Sequence, residues 1–178
     1  MKVRRVVTGH MAEGKSTVMN DSEVDPITTT LLPGFEFCRL WGGDATPTVP
    51  QNEAMEQPVN YFPPVGGFRL ALFTVPPQST TPHAPRDMKE ALAEVDAKLP
   101  GLLSHLEPDT GGMHTTDTVD VDYILTGEVS MELDDGVEVH LTPGDTVVQN
   151  GTRHAWRNKS SEPCRMLCVL VGARRVAK

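Results

Sequence analysis

The chain lacks the features that announce several common functional classes. It has no clustered Lys/Arg face: 16 Lys and Arg stand against 24 Asp and Glu, a formal net charge of −8. Phosphate backbones are held by basic side chains, so nucleic acid is not an expected partner. No apolar run approaches the roughly 18 residues of a membrane span, and no membrane partner is expected. The opening MKVRRVVTGH carries charge but no following apolar stretch, so no secretory signal is expected. Cysteine is scarce and odd in number. Cys38, Cys164 and Cys168 do not suggest a disulfide framework, since the last two share a strand face at a spacing that does not bridge. Reduced thiols and a cytoplasmic location are the resulting expectation. There is no internal repeat, low-complexity tract or dividing linker, and none of Ser16, Ser104 or Ser130 stands in a signature with a base, so a hydrolase triad has no support.

At 178 residues the chain suits one domain with one core, read as 1–76 (N-terminal strands and a long loop), 83–107 (a helical insertion) and 113–172 (the core of the fold). Lys2 to Val7 and Ser16 to Met19 read as short strands that add to the sheets. Gly34 to Trp41 alternates apolar with small or polar residues, and Phe68 to Val75 is a strand ended by Pro76-Pro77. Between Gly42 and Gly67 lie five prolines and few strand formers, a loop length that is either functional or mobile. The period then changes. Met88, Leu92, Val95 and Leu99 recur at helical spacing, with acids early and Lys98 late, until Pro100-Gly101 stops the run. A further turn over Leu102 to Leu106 follows, and the insertion reads either as a lid or as a cover for a sheet edge.

From Met113 to Asn158 the text is strand-like. His114, Thr116, Thr118, Asp120 and Asp122 share one face at period two, while Val119, Val121, Tyr123 and Leu125 share the other, with Tyr123 read as packing. Gly127 ends that strand, and Asp134-Asp135-Gly136, Pro143-Gly144-Asp145 and Asn150-Gly151 punctuate the alternating runs that follow. Cys164 to Val171 is an apolar closing strand. Short strands at this density describe an antiparallel meander that closes into a barrel or jelly roll. Of the other histidines, His140 is expected to be exposed, His83 and His105 to face solvent near the insertion, and His10 to lie in a loop.

The spacing of these residues resembles the two motifs of the cupin superfamily. The first motif runs His, any residue, His, three or four residues, Glu, six residues, Gly. Here it reads His114, Thr116, Asp120, Gly127; the second reads Gly144, Asn150-Gly151, His154, Asn158. The chain departs from the pattern at Thr116 (for His), Asp120 (for Glu) and Asn150-Gly151 (for Pro-x-Gly). The resemblance implies an all-β double-stranded β-helix, or jelly roll, with a short helical insertion and a site inside the barrel. It implies His114, Asp120 and His154 as catalytic residues and as ligands of a divalent metal such as Fe, Zn, Mn or Ni, with Thr116, Asp122, Trp156 and Asn158 around the substrate and no organic cofactor. The same side chains also make sense as a metal-free polar pocket, in which Asp120 or His154 acts as general acid or base. The expected function is a small-molecule enzyme of dioxygenase, decarboxylase, isomerase or dehydratase type. The alternative is a non-catalytic small-molecule-binding protein without metal, and a homodimer is the expected assembly.

Overall fold

The computed structural model describes residues 2–50, 58–80 and 85–176; His83 and the acidic residues Glu53 and Glu56 of the long loop lie outside them. Ten strands and one helix follow in the order β1 (Val3–His10), β2 (Ser16–Val24), β3 (Glu36–Gly43), β4 (Phe68–Val75), α1 (Met88–Lys98), β5 (Thr118–Thr126), β6 (Val129–Glu132), β7 (Glu138–Leu141), β8 (Thr146–Gln149), β9 (Ala155–Arg157) and β10 (Cys164–Gly172). All pairings are antiparallel. One sheet has the order β3-β4-β10-β5-β8 and the other β7-β6-β9, and the buried side chains Ile124, Val129, Met131, Leu141, Val147 and Met166 fill the space between them. This is the all-β jelly-roll architecture expected from the period-two patterning.

Two local devices explain the meander. At the end of β5, Gly127 has a positive φ of 71°, and a Cβ there would run into the Pro163 carbonyl oxygen, so only glycine fits where the β5–β6 connection passes the start of β10. Between β6 and β7, Asp135 and Gly136 both adopt positive φ. That is the backbone a tight hairpin needs to match strand twist.

Several expectations need correction. The first two strands do not join the sheets: β1 and β2 form a separate hairpin, and His10 is the last residue of β1, opposite Ser16, not a loop residue. β5 begins at Thr118, and His114 lies outside it in an isolated bridge to His154. Tyr123, read as packing, is exposed with Val119, Val121 and Leu125, while Thr118, Asp120, Asp122 and Ile124 are buried, the inward polar face that a site inside the barrel implies. Register is the reason. Asp122 lies opposite Cys168 on β10, directly paired residues project to the same side, and β10 buries Cys164, Met166, Cys168 and Leu170.

The helix forms where the 3.6-residue period stands. The Asp87 side chain accepts the Glu90 N–H as an N-cap at 3.0 Å, and Glu94 pairs with Lys98 one turn on. Only part of the predicted face is covered, however. Ala91, Val95 and Leu99 are buried, whereas Met88 and Leu92 remain exposed. The buried side packs on Phe37, Ile27 and Leu31, and the helix is tied to the 27–32 segment by Thr30 N–H donating to Glu94 and by Lys98 donating to the Thr28 carbonyl. The chain after it, through Leu102 and Leu106, forms one wall of the internal cavity.

Candidate functional site

The cavity has a volume of about 150 Å³. Its polar lining is His114, His154, Asp120, Asp122 and Cys168; the rest is made chiefly of aromatic rings and leucines, among them Phe35, Phe37, Phe73, Tyr61, Phe62 and Trp156. The rings are delivered by pairing. Phe37 on β3 lies opposite Phe73 on β4, their centroids 5.1 Å apart, and Phe35 stacks on Phe73 at 5.8 Å. Tyr61 meets Phe37 edge-on at 5.8 Å. Its chain segment is fixed by Tyr61 N–H donating to the Pro100 carbonyl, so the long loop does contribute to the site.

The two histidines are held by each other's backbone. His114 N–H donates to the His154 carbonyl at 2.9 Å and His154 N–H to the His114 carbonyl at 3.0 Å, which brings their rings to a 4.2 Å centroid separation. Each ring is also oriented by a carbonyl: His114 Nδ1 lies 2.9 Å from the Gly112 oxygen and His154 Nδ1 lies 3.0 Å from the Thr152 oxygen. A carbonyl can only accept, so Nδ1 carries the proton in both rings, and the neutral Nε2 keeps its lone pair. Burial holds both below the usual imidazole range. His154, with His114 beside it as a second cause, is pushed down to about 4.

The carboxyls move the other way. Burial pushes Asp120 up to about 7, against a lowering hydrogen bond from Thr118 and with a raising contribution from Asp122. Burial likewise pushes Asp122 up to about 6, offset in part by its hydrogen bond with Cys168; that pairing and burial drive the Cys168 thiol well up. Among the described residues Asp120 Oδ1 is buried without a hydrogen-bond partner. Leaving such a group unpaired costs about 1–3 kcal/mol. Fold stability alone does not account for it.

Other predicted residues sit elsewhere. Thr116 is buried, its hydroxyl 2.7 Å from that of Thr118, and it is not part of the cavity lining. Asn158 is fully buried and brackets the chain. Its Nδ2 donates to the Val75 and Glu162 carbonyls and its Oδ1 accepts from Ser160. It holds the β9–β10 connection and does not face the cavity. Trp156 does line it, edge-on to His154 at 5.7 Å. His140 is exposed beside Glu128, as expected. His105 is half-buried with its ring 4.5 Å from that of Phe62 and its Nδ1 on the Gly101 carbonyl; it is not a free solvent histidine. Sequence reading missed Cys168 as a cavity residue, although the period-two alternation of β10 puts it on the same face as Cys164. It also missed Phe73, Tyr61 and Phe62, whose place depends on pairing and loop packing.

The cupin pattern implies a metal at His114, Asp120 and His154, and the residues present were weighed against that. Among the described residues no group of three or more His, Cys, Asp or Glu is placed to hold an ion. The position of a further histidine ligand is taken by Thr116, whose hydroxyl is engaged by Thr118. The donor set reduces to two adjoining imidazoles, which does not fit a three-ligand centre.

A second feature frames the cavity. Arg157 pairs with Glu132 and donates to the carbonyls of Thr110 and Gly111, while Arg153 forks onto Glu107 and Asp134. The start of the 107–113 segment and its middle, which carries the cavity-lining Gly111, are thereby tied to the region of β9.

A two-sheet jelly roll with a mixed polar and aromatic cavity between its sheets defines an all-β protein of the jelly-roll class. The family model described as Cupin domain matches residues 102–170. The chain is 30% identical over 156 residues to Phomopsin biosynthesis cluster protein C' of Diaporthe leptostromiformis, covering 88% of this chain and 70% of that protein. It is therefore a member of the cupin superfamily. A shorter match, 38% over 60 residues, relates it to the cupin-domain-containing oxidoreductase srdB of Neurospora crassa, covering 33% of this chain and 31% of that protein. Among solved structures, a Cupin 2 conserved barrel domain protein from Salinispora arenicola aligns over 86% of this chain and 92% of its own, at 19% identity and a TM-score of 0.44.

Proposed function

We propose that the protein is a small-molecule enzyme that moves protons on an apolar substrate held in this cavity, in isomerase or dehydratase chemistry. The observation that carries the reading is the cavity lining itself: two neutral imidazoles oriented through Nδ1 and a buried carboxylic acid line the same cavity as a wall of aromatic rings. Burial keeps the imidazoles neutral and favours the protonated form of Asp120 up to about pH 7, so an unprotonated base and a protonated acid line one cavity, the states that proton transfer requires. Nε2 of His154 or His114 removes a proton from carbon beside a carbonyl, and the electron pair forms the enol double bond. Asp120 gives its proton to the carbonyl oxygen. In a substrate whose enol is conjugated to a second double bond or is an enediol, the imidazolium returns its proton to a different carbon while the enol O–H proton goes back to Asp120, which completes an isomerisation; in a β-hydroxy carbonyl substrate the imidazolium protonates the departing hydroxyl, which leaves as water as the enol O–H proton returns to Asp120. The name of the Diaporthe relative, a biosynthesis cluster protein, supports action on a small molecule. The name of the Neurospora relative speaks of redox chemistry in that protein, and no residue of this cavity leads us to it.

The test is wash-in of solvent deuterium beside the carbonyl of cyclohexanone and phenylacetone, followed by proton NMR. Exchange above the buffer rate is expected, falling by about 10²-fold or more in His154→Ala and unchanged in His140→Ala. Saturable binding of either ketone without wash-in identifies the alternative, a non-catalytic binder. Wash-in that survives His154→Ala removes His154 from the mechanism.

A further inference from the structure

The size of the cavity and the charge of its lining narrow what it can hold. About 150 Å³ is the scale at which an engineered apolar cavity of about 150 Å³ takes up one benzene. Flat rings stand on several sides: Phe35 and Phe73 are stacked within 21° of parallel, and Tyr61 and Trp156 present further ring surface to the cavity. A planar ring gains contact against such walls that a branched aliphatic chain of the same volume does not.

Charge is the second constraint. Among the described residues the lining includes no Lys and no Arg. The nearby guanidinium of Arg69 is spent on the Asp44 carboxylate and on the carbonyls of Gly43, Asn60 and Phe62, and Arg157 is spent on Glu132 and the 110–111 backbone. An anionic ligand would be buried without a counter-charge and against two carboxyl groups, a costly placement. A cation would need those carboxyls ionised inside a mostly apolar enclosure, where Asp120 Oδ1 has no hydrogen-bond partner to support the charge. An uncharged polar substituent needs neither. A carbonyl or hydroxyl on the ring meets donors and acceptors in Asp120 and the Nε2 atoms, and the ring meets the aromatic wall.

We infer that the ligand of this cavity is uncharged, monocyclic and planar, with one carbonyl or hydroxyl group directed to the polar lining that His114, His154 and Asp120 supply. The inference rests on the proposed use of this cavity for small molecules, and narrows it to a substrate class.

Isosteric probes separate the constraints: benzamide (neutral), benzoate (anion), benzamidine (cation) and 2-naphthamide (neutral, two rings). Binding is read from quenching of Trp156 fluorescence in a Trp41→Phe background, Trp41 lying outside this cavity, and checked by saturation-transfer NMR. Benzamide is expected to bind saturably, with benzoate, benzamidine and 2-naphthamide each at least about tenfold weaker, a difference of about 1.4 kcal/mol. Leu106→Trp, on the loop wall, should abolish benzamide binding with the circular dichroism spectrum unchanged. Leu170→Trp, from β10, is the second blocking variant should the first misfold. Benzoate or benzamidine binding as tightly as benzamide overturns the uncharged class, and equal binding of 2-naphthamide overturns the monocyclic size; both leave the proton-transfer reading standing, since deuterium wash-in tests that separately. Benzamide binding that survives both blocking variants overturns the inference by placing the ligand elsewhere, and binding of none of the four probes overturns it outright.

Discussion

Replacing Asp120 by Asn should stabilise the protein, and by an amount that depends on pH. Asp120 is 6% exposed, and burial raises its carboxyl from 3.8 to about 7. The folded protein therefore holds this proton more tightly than the unfolded chain does. Below pH about 4 both states are protonated and the site costs nothing. As pH rises from about 4 to about 7 the unfolded chain releases the proton while the folded one retains it, so stability falls; above about 7 the loss is complete. At about 1.4 kcal/mol for each tenfold change in proton affinity, the full loss is roughly 4 kcal/mol at pH 8 and under about 1 kcal/mol at pH 4. Asn matches the shape and carries no charge, its amide oxygen still accepts from Thr118, and Oδ1 has no bond to lose. The variant should thus gain about 2–4 kcal/mol over the parent at pH 8 and close to nothing at pH 4, while losing proton-transfer activity, the usual exchange of stability for function. Urea unfolding of both proteins at the two pH values measures it. An equal gain at both, or a loss at pH 8, would refute the claim that burial of an ionisable acid strains this site.

Other expectations follow from the same geometry. Wash-in activity needs His154 neutral and Asp120 protonated, so it should be sustained between about pH 4 and pH 7 and decline above; a rate that climbs steadily beyond pH 8 would reverse the acid assignment. Arg157→Ala frees the Thr110 and Gly111 carbonyls, and amide hydrogen exchange in 110–113 should accelerate while β5 and β10 stay protected; uniform acceleration would mean that the arginine holds the whole fold. Because the described donors do not form a three-ligand set, elemental analysis should find well under one transition-metal ion per chain, and dialysis against EDTA should leave wash-in unchanged. A stoichiometric metal whose removal stops wash-in would restore the three-ligand reading of the histidines and Asp120. The outer face of the larger sheet exposes Val121, Tyr123, Val148 and Val171, and we expect a second copy to cover it. Light scattering should report a dimer at micromolar concentration, shifted toward monomer by Tyr123→Glu.

Period and punctuation in the sequence determined a good deal by themselves. Alternation with glycine and aspartate turns is a local property, and it located the hairpins of β6–β7, the strands β3, β4 and β10, and the helix. The motif spacing singled out His114, Asp120 and His154, and all three line one cavity, although His114 lies outside β5 and meets His154 through an isolated bridge, not by strand parity. Parity does not say which face is inside. On β5 the apolar set Val119, Val121, Tyr123 and Leu125 looks like core on hydrophobicity alone, yet pairing with β10, Asp120 opposite Leu170 and Asp122 opposite Cys168, turns the aspartates inward. The tertiary structure alone decided that Thr116 and Asn158 serve backbone and neighbours, that β1 and β2 stand apart as their own hairpin, and that Phe37, Tyr61, Phe73 and Leu106, distant along the chain, enclose a single cavity. Those outcomes depend on register between distant strands and on the packing of a helix against loops, and neither is encoded in the periodicity of any one segment.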